Sequence, residues 1–332
     1  MAGNVTIYDV AKRADVSLAT VSRVLNNPEK VAEATKQRVL KVIEDLGYRP
    51  NMVARGLASR KTTTVGIIIS DLTRASVAEM LSGIIDIADN YKYSIKIFSI
   101  REDFEAADTV QKIVAEQVDG VLYLNDELSD ESIEEVKDIL FKNAIPFVFA
   151  NVSSDDKRVP IVSIDYERAS YELTKLLIAD ERKNIYLLST ARKYSVNTKK
   201  ESGYLKAMEE ANLEPKIFRT SGDVSINTAH FKEYFKDKPI DGAIGVRDSI
   251  AVSFLNQAIK ASTEVPKKLA IAGFQNTKYA SLSRPTLTSL DIPVYDIGAV
   301  AMRLLTKLMN KKDVDNIRVI LPHYIVKRES TN

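Results

Sequence analysis

From Thr64 onward the chain alternates short β-branched runs with amphipathic stretches, and this alternation admits few folds. VGIII (Val65–Ile69), SIKIFSI (Ser94–Ile100), DGVLYL (Asp119–Leu124) and IPFVFA (Ile145–Ala150) are separated by segments of helical period. The pattern restarts with IVSI (Ile161–Ile164) and continues through NIYLLS (Asn184–Ser189), KIFRT (Lys216–Thr220), DGAIGV (Asp241–Val246) and KLAIAGF (Lys268–Phe274). Strands that are apolar on both faces belong to parallel sheets covered by helices on each side. Two such series predict two similar α/β lobes with a ligand cleft between them at the strand carboxyl ends. After Ser289 a long helix, Val294 to Asn310, and two short strands end the chain. Their return to the first lobe makes both lobes discontinuous.

Ahead of this body stands a different kind of segment, TIYDVAKRADVSLATVSRVLN, Thr6 to Asn26. Thr6 with Asp9 three residues on fits a capping box. Tyr8, Val10, Ala11 and Ala14 mark a short helix, Asp15-Val16-Ser17 is a polar break, and Ser17 suits the N-cap of a second helix to about Leu25. Val21, Val24 and Leu25 point inward, which leaves Ser17, Leu18, Ala19, Thr20, Ser22 and Arg23 for another surface. Small residues at that helix start permit close approach to base edges in a major groove, and Thr, Ser and Arg supply hydrogen bonds to bases and phosphates. The competing reading is an ordinary helical hairpin on a domain edge. Ala32 to Leu46 reads as a third helix stopped by Gly47. YRPNMVARGLASRKTTT (Tyr48–Thr64) follows, with barely two turns of helix between Asn51 and Ala58. A helix so short is marginal alone and orders on binding. Leu57 is an apolar tip able to wedge between base steps from the minor groove. A linker that contacts nothing is the alternative.

Charge follows the same division. Residues 1–61 hold 11 Lys or Arg against 6 Asp or Glu, and the remainder 36 against 39. A basic head on a mildly acidic body confines phosphate contacts to the head. Hydrophobic residues at 45% and charged residues at 28% are those of an ordinary globular chain. No apolar run approaches the length of a membrane span, and an apolar signal segment is missing at the start, so the expected location is the cytoplasm. With no cysteine in the chain, disulfides, thiolate catalysis and Cys-ligated metal are excluded. The two histidines, His230 and His323, lack metal-ligand spacing. His323, in VILPHYIV, reads as a strand residue. No phosphate-binding glycine loop or nucleophile elbow is present. No catalytic residue, metal or cofactor is expected, and an enzyme is the weakest reading.

Head, YRPN-containing hinge and two-lobed body together resemble the LacI/GalR class of bacterial transcription regulators over essentially the whole chain. ARGLASRKTTTVGIII (Ala54–Ile69), IADNYKYSI (Ile87–Ile95), EQVDGV (Glu116–Val121) and YDIGAVAMRLLTKLMNK (Tyr295–Lys311) are similar, more narrowly, to the branch that governs carbon catabolite control in Gram-positive bacteria. The resemblance implies a helix-turn-helix head over residues 1–48 and a hinge over 49–63. A periplasmic-binding-protein-like body follows, its first lobe over 64–161 with 291–321 and its second over 162–290 with 322–332. It implies a homodimer on a pseudo-palindromic double-stranded operator, contacted by Thr6, Tyr8, Ser17, Leu18, Ala19, Thr20, Ser22, Arg23 and Asn26, with Tyr48 beside them. The hinge contributes Asn51, Ala54, Arg55, Leu57 and Ala58. In this branch the corepressor is serine-phosphorylated HPr, a carrier protein of sugar uptake. The matching dock is the helix of Tyr295, Asp296, Ala299, Val300, Arg303 and Lys307, with Arg303 the partner for the phosphate because its planar fork grips phosphate oxygens bidentately. Taken without the resemblance, Arg303 reads as a surface salt bridge.

The cleft departs from the family pattern. Asp248 matches a position that holds sugar hydroxyls, but Gln275 stands where an Asp is usual and Lys200 where another basic residue is common. The aromatic residues usual after the first strand are replaced by DLTRAS (Asp71–Ser76). Arg74 and Lys200 remain available for a sugar phosphate as a secondary effector. Ile85 replaces an acidic residue of the dock, Met52 an Ala of the hinge, and Leu18 a Met of the reading helix. The rival functions are a sugar-responsive repressor released by a cleft ligand and, from another class, a solute-binding protein, which fits the body but not the head.

Overall fold

A computed structural model describes residues 5–48, 62–100, 106–124, 129–221, 224–234 and 239–332. The chain forms two compact units, Met1–Thr62 and Thr63–Asn332. In the first, α1 (Ile7–Ala14) and α2 (Leu18–Asn26) are followed by one 3₁₀ turn at Pro28–Lys30 and by α3 (Glu33–Leu46). The start of α1 is fixed by Asp9, whose carboxylate accepts from the Thr6 amide at 2.8 Å and hydroxyl at 2.7 Å. Asp15, at φ 50°, closes α1, and the Ser17 hydroxyl caps α2 by accepting from the Thr20 amide at 3.2 Å. Gly47 ends α3 in the left-handed region at φ 62°, a conformation that costs glycine nothing. The core is small and β-branched: Val10, Ala14, Val21, Val24, Val39 and Val42, with Tyr48 packed against it.

The second unit holds two six-stranded sheets. In the first, the strands are β1 (Thr64–Ile69), β2 (Ser94–Ser99), β3 (Gly120–Leu124), β4 (Phe147–Ala150), β5 (Ile161–Ile164) and β11 (Arg318–Leu321), ordered β11-β5-β4-β3-β1-β2 and parallel throughout. β1 sits between neighbours in register, with Ile67 opposite both Ile97 and Leu122. One face is covered by α4 (Ala75–Asn90) and α12 (Val294–Met309), the other by α5 (Ala106–Ala115) and α6 (Asp130–Lys142). The second sheet is ordered β12-β10-β9-β8-β6-β7, from β6 (Ile185–Thr190), β7 (Lys216–Thr220), β8 (Gly242–Gly245), β9 (Ala270–Gln275), β10 (Thr288–Asp291) and β12 (Tyr324–Val326), the last antiparallel. Its helices are α7 (Tyr166–Ala179), α8 (Ser195–Glu210), α9 (Val224–Tyr234), α10 (Asp248–Lys260) and the short α11 (Lys278–Leu282).

Each lobe has a helix pair in backbone contact. A Cβ on Gly83 of α4 would lie 2.2 Å from the Tyr295 carbonyl oxygen of α12, and one on Gly298 would lie 2.1 Å from that of Met80. In the second lobe a Cβ on Gly203 of α8 would lie 2.0 Å from the Glu167 oxygen of α7. Only glycine allows helices this close, and the proximity locks which face of α12 looks outward.

Three expectations change. The return to the first lobe, expected from residue 291, begins after it, because Asp291 ends β10 of the second sheet opposite Gln275 and Tyr324. The boundary expected after residue 161 cuts β5, which belongs whole to the first sheet because it pairs with β4 on one side and β11 on the other. The first lobe therefore extends to Ile164. His323 is not a strand residue. It lies in the two-residue link between β11 and β12, where the chain leaves one sheet for the other, and its ring nitrogen meets the Glu172 carboxylate at 3.0 Å.

Candidate DNA interface and effector surfaces

The outward face of α2 is the one the spacing predicts. Val21 and Val24 are buried, whereas Ser17, Leu18, Ala19 and Arg23 are exposed and Thr20 and Ser22 half-buried. Ser17 and Thr20 also share a hydroxyl hydrogen bond at 2.9 Å, which sets both groups at the helix N-terminus. That end carries unpaired amides and positive dipole, so it favours phosphate or base acceptors. Tyr8 projects from α1 with 68% of its surface exposed, and Thr6 is exposed beside it. Tyr48 is half-buried on the core. Asn26 closes α2. Asn51, Ala54, Arg55, Leu57 and Ala58 lie outside the described residues.

On the body, α12 turns Ile297, Ala301, Met302 and Leu305 into the core and leaves Tyr295, Asp296, Arg303 and Lys307 exposed, with Val300 half-buried. Ala299 is 4% exposed because the turn that carries it meets Gly83, so it has no surface to offer a partner. The Tyr295 hydroxyl donates to Asp86 of α4 at 2.6 Å, which joins the two helices into one surface. Arg303 and Lys307, four residues apart on one face, form no ion pair among the described residues. Ile85, 45% exposed on α4, lies one residue before Asp86.

In the second lobe the cleft residues converge, but turned into the protein. Lys200 is 1% exposed; its ammonium donates to the Val246 carbonyl at 2.9 Å and lies 5.1 and 4.9 Å from the rings of Tyr166 and Phe274. Asp248, also 1% exposed, accepts from the Ser289 hydroxyl at 2.5 Å and from the Thr277 amide and hydroxyl at 2.6 and 2.9 Å. Burial pushes its carboxyl up to about 6, against the downward pull of these donors. Gln275 (φ 98°) and Asn276 (φ 49°) adopt left-handed backbone that side-chain-bearing residues rarely take. The surroundings hold this turn: Asn276 donates to Ser289 at 3.0 Å and to Asp291 at 2.9 Å, and accepts from Arg328 at 2.6 Å. Sequence reading stopped at Gln275 and missed Asn276, the next residue in the chain. Arg74 stands at the N-cap of α4 in the first lobe.

A fold of this kind with a helix-turn-helix head has known relatives. Residues 6–51 match the model of the bacterial regulatory proteins of the lacI family, and residues 174–331 match a periplasmic binding protein-like domain. Catabolite control protein A of Priestia megaterium is 42% identical over 99% of both chains. The chain belongs to the lacI family. Within that family, the HTH-type transcriptional regulator pepR1 of Lactobacillus delbrueckii is also 42% identical, over 99% of this chain and 98% of that one. The crystal structure of transcription regulator CcpA of Lactococcus lactis, 34% identical, superposes with a TM-score of 0.73 over 81% of this chain and 99% of that chain. The lac repressor dimer bound to operator and anti-inducer superposes at 0.88 over 99% of each, at 22% identity, which speaks for the fold alone. These lacI-family relatives are transcription regulators, not enzymes, and this chain is a DNA-binding regulator of the same kind. No helix among the described residues is long and apolar enough to cross a membrane.

Proposed function

We propose that this regulator acts in the cytoplasm as a homodimer in carbon catabolite control, with serine-phosphorylated HPr as corepressor on the α4–α12 surface. The observation that carries this reading is the exposed, unneutralised pair Arg303 and Lys307 on a helix whose other face is fixed by glycine contact. Its relation to catabolite control protein A supports the same role. A phosphoserine gives three acceptor oxygens and close to two charges, which an Arg fork and a nearby Lys match. Tyr295 and Asp296 supply polar contacts and Val300 the apolar one. Ala299 drops out of the proposed dock.

Dimerisation through the body suits the exposed apolar side chains of α11, where Leu282 is 69% and Tyr279 43% exposed. Two heads that bind weakly alone then engage the half-sites of a pseudo-palindromic operator at high effective concentration. The α2 face and Tyr8 read the major groove, and the paired Leu57 side chains pry the central step.

The sugar-released alternative loses support in the cleft. Asp248 is occupied by three donors from its own lobe, and Lys200 by a carbonyl and two rings. A sugar phosphate as secondary effector has to reach an ammonium that is 1% exposed and already donates to Val246.

The test is fluorescence anisotropy of a labelled operator at one fixed salt concentration, titrated with the protein alone and then with phosphorylated HPr, unphosphorylated HPr, sugars and sugar phosphates. Tightening by the phosphorylated carrier alone, abolished by Arg303→Ala with basal binding intact, is the expected result. Release by a free sugar with no carrier effect would replace this reading with the inducible repressor.

A further inference from the structure

The dipeptide Asp-Gly opens one strand in each lobe, Asp119-Gly120 at β3 and Asp241-Gly242 at β8. The registers match: Gly120 lies opposite Val65 of β1, and Gly242 opposite Ile185 of β6. In both lobes the Asp carboxylate reaches the backbone just ahead of that neighbouring strand. Asp241 accepts from the amides of Lys183 and Asn184 at 3.1 and 2.8 Å, and Asp119 accepts from the Thr63 amide at 2.9 Å. A carboxylate on a backbone amide makes a charge-assisted hydrogen bond, stronger than a neutral one.

What the two carboxylates hold differs. Lys183 is reached from α7 by a short turn within its own lobe. Thr63 is the last residue of the hinge segment and the first of the second compact unit. At φ 52° it is also the only β-branched residue in the left-handed region among the described residues. That conformation is an outlier for a branched side chain and persists where the surroundings over-determine it. Three hydrogen bonds do so here. The Thr63 amide is held by Asp119, its carbonyl accepts from the Ser94 amide at 2.8 Å, and the Asp119 amide donates to the Thr64 carbonyl at 2.9 Å.

Asp119 is itself braced by the end of α12. A Cβ on Gly120 would lie 2.7 Å from the Met309 sulfur and 2.9 Å from a Leu305 methyl, so the last turn of α12 sits on the residue beside it. Tyr93 joins the same corner: burial raises its hydroxyl above the ordinary range, a hydrogen bond with Asn310 after α12 opposes this, and the Asp119 charge adds to the rise. We propose that Asp119 is a positioning residue for operator binding. By holding Thr63 in its left-handed turn, it fixes the backbone direction in which the hinge leaves the body. Asp241, the same device with no hinge attached, has a structural role only.

The test is fluorescence anisotropy of the full-length protein on labelled operator and on an unrelated duplex of equal length, at one fixed salt concentration, with the urea midpoint measured beside it. The variants are Asp119→Ala, Asp119→Asn, Asp241→Ala, and Asp119→Ala combined with Thr63→Gly. Asp119 is half-buried, so its truncation opens no core cavity. Asp119→Ala is expected to weaken operator binding about tenfold or more, the worth of a hydrogen bond to a charged group, and to leave the unrelated duplex unchanged. Asp119→Asn, which keeps an acceptor oxygen, restores operator binding. Thr63→Gly restores part of it, because glycine holds a left-handed turn without help. Asp241→Ala lowers the urea midpoint and leaves operator binding as in the wild type. The inference rests on the head as an operator reader, and the wild type's preference for operator over the unrelated duplex tests that reading separately. Operator binding untouched by Asp119→Ala, equal weakening on both duplexes, or equal weakening by Asp241→Ala would each overturn the proposal.

Discussion

The two lobes solve one packing problem with the same device, and differ in what they do with the charge outside it. In each, a pair of long helices covers one sheet face and meets through glycine: Gly83 and Gly298 between α4 and α12, Gly203 between α8 and α7. Outside the second-lobe contact, charges satisfy one another. Glu210 accepts from the Tyr171 hydroxyl at 2.6 Å and lies 3.8 Å from Lys175, and Lys206 sits over the Tyr171 ring at 5.6 Å. Outside the first-lobe contact, Tyr295 is tied to Asp86 while Arg303 and Lys307 have no ion partner among the described residues. The same scaffold thus gives a self-neutralised surface in one lobe and an open cationic one in the other.

The most damaging way to probe this likeness is to add a methyl group at the crossings. Gly298→Ala and Gly203→Ala each force helices apart, and each is expected to cost about 3 kcal/mol or more, well beyond the intrinsic helical gain of alanine. Urea unfolding measures both. A large cost in one lobe and none in the other would break the equivalence. A pH titration separates the lobes next, because Asp248 belongs to the second. Its folded carboxyl sits near 6 against an ordinary 3.8, so the native state holds the proton more tightly there. Stability from this group is therefore fully present below about pH 4 and lost as pH rises through 6. The loss amounts to roughly 2–3 kcal/mol, at ~1.4 kcal/mol per unit. Urea unfolding of wild type from pH 4 to 8 should fall relative to Asp248→Asn, and parallel curves would show that the carboxyl does not titrate in this window.

Smaller effects test the charge contrast. Arg303→Ala is expected to remove about 1.5–3 kcal/mol of carrier-dependent operator binding, the worth of a hydrogen-bonded charge, with the urea midpoint unmoved. Lys206→Ala, its counterpart in the other lobe, should leave carrier stimulation unchanged in the same anisotropy assay. Glu210→Gln is the mildest, a loss of under about 1 kcal/mol of stability, as surface pairs give. A carrier effect at Lys206 equal to that at Arg303 would dissolve the contrast.

Much of this was readable because the signals are local. The capping residues Thr6, Asp9 and Ser17, the stop at Gly47 and the apolar runs of both sheets each declare themselves within a few positions. What failed to show depends on contacts distant in sequence. Gly83 and Gly298 stand more than two hundred positions apart, and neither helix shows why it needs a glycine until the other is present. That contact buries Ala299, which a helical repeat alone places beside Val300. β5 was split between the lobes because an apolar run does not say which sheet it joins. Asp248 was offered as a sugar ligand from its motif, while its hydrogen bonds come from Thr277, 29 residues later at the start of α11, and from Ser289, 41 residues later on β10.

The crossings between lobes carry a further consequence. The chain passes over through Asp165 alone, returns through Ile292 and Pro293, and passes over again through Pro322 and His323. At ~3.5 Å per residue, none of these straps is long enough for the lobes to slide or part, so the motion left to them is pivoting. A protein engineer meets this as a rule about tolerated insertions. Added residues in a surface loop leave this restraint alone, whereas one or two glycines in any strap introduce slack, and slack frees one lobe from the other.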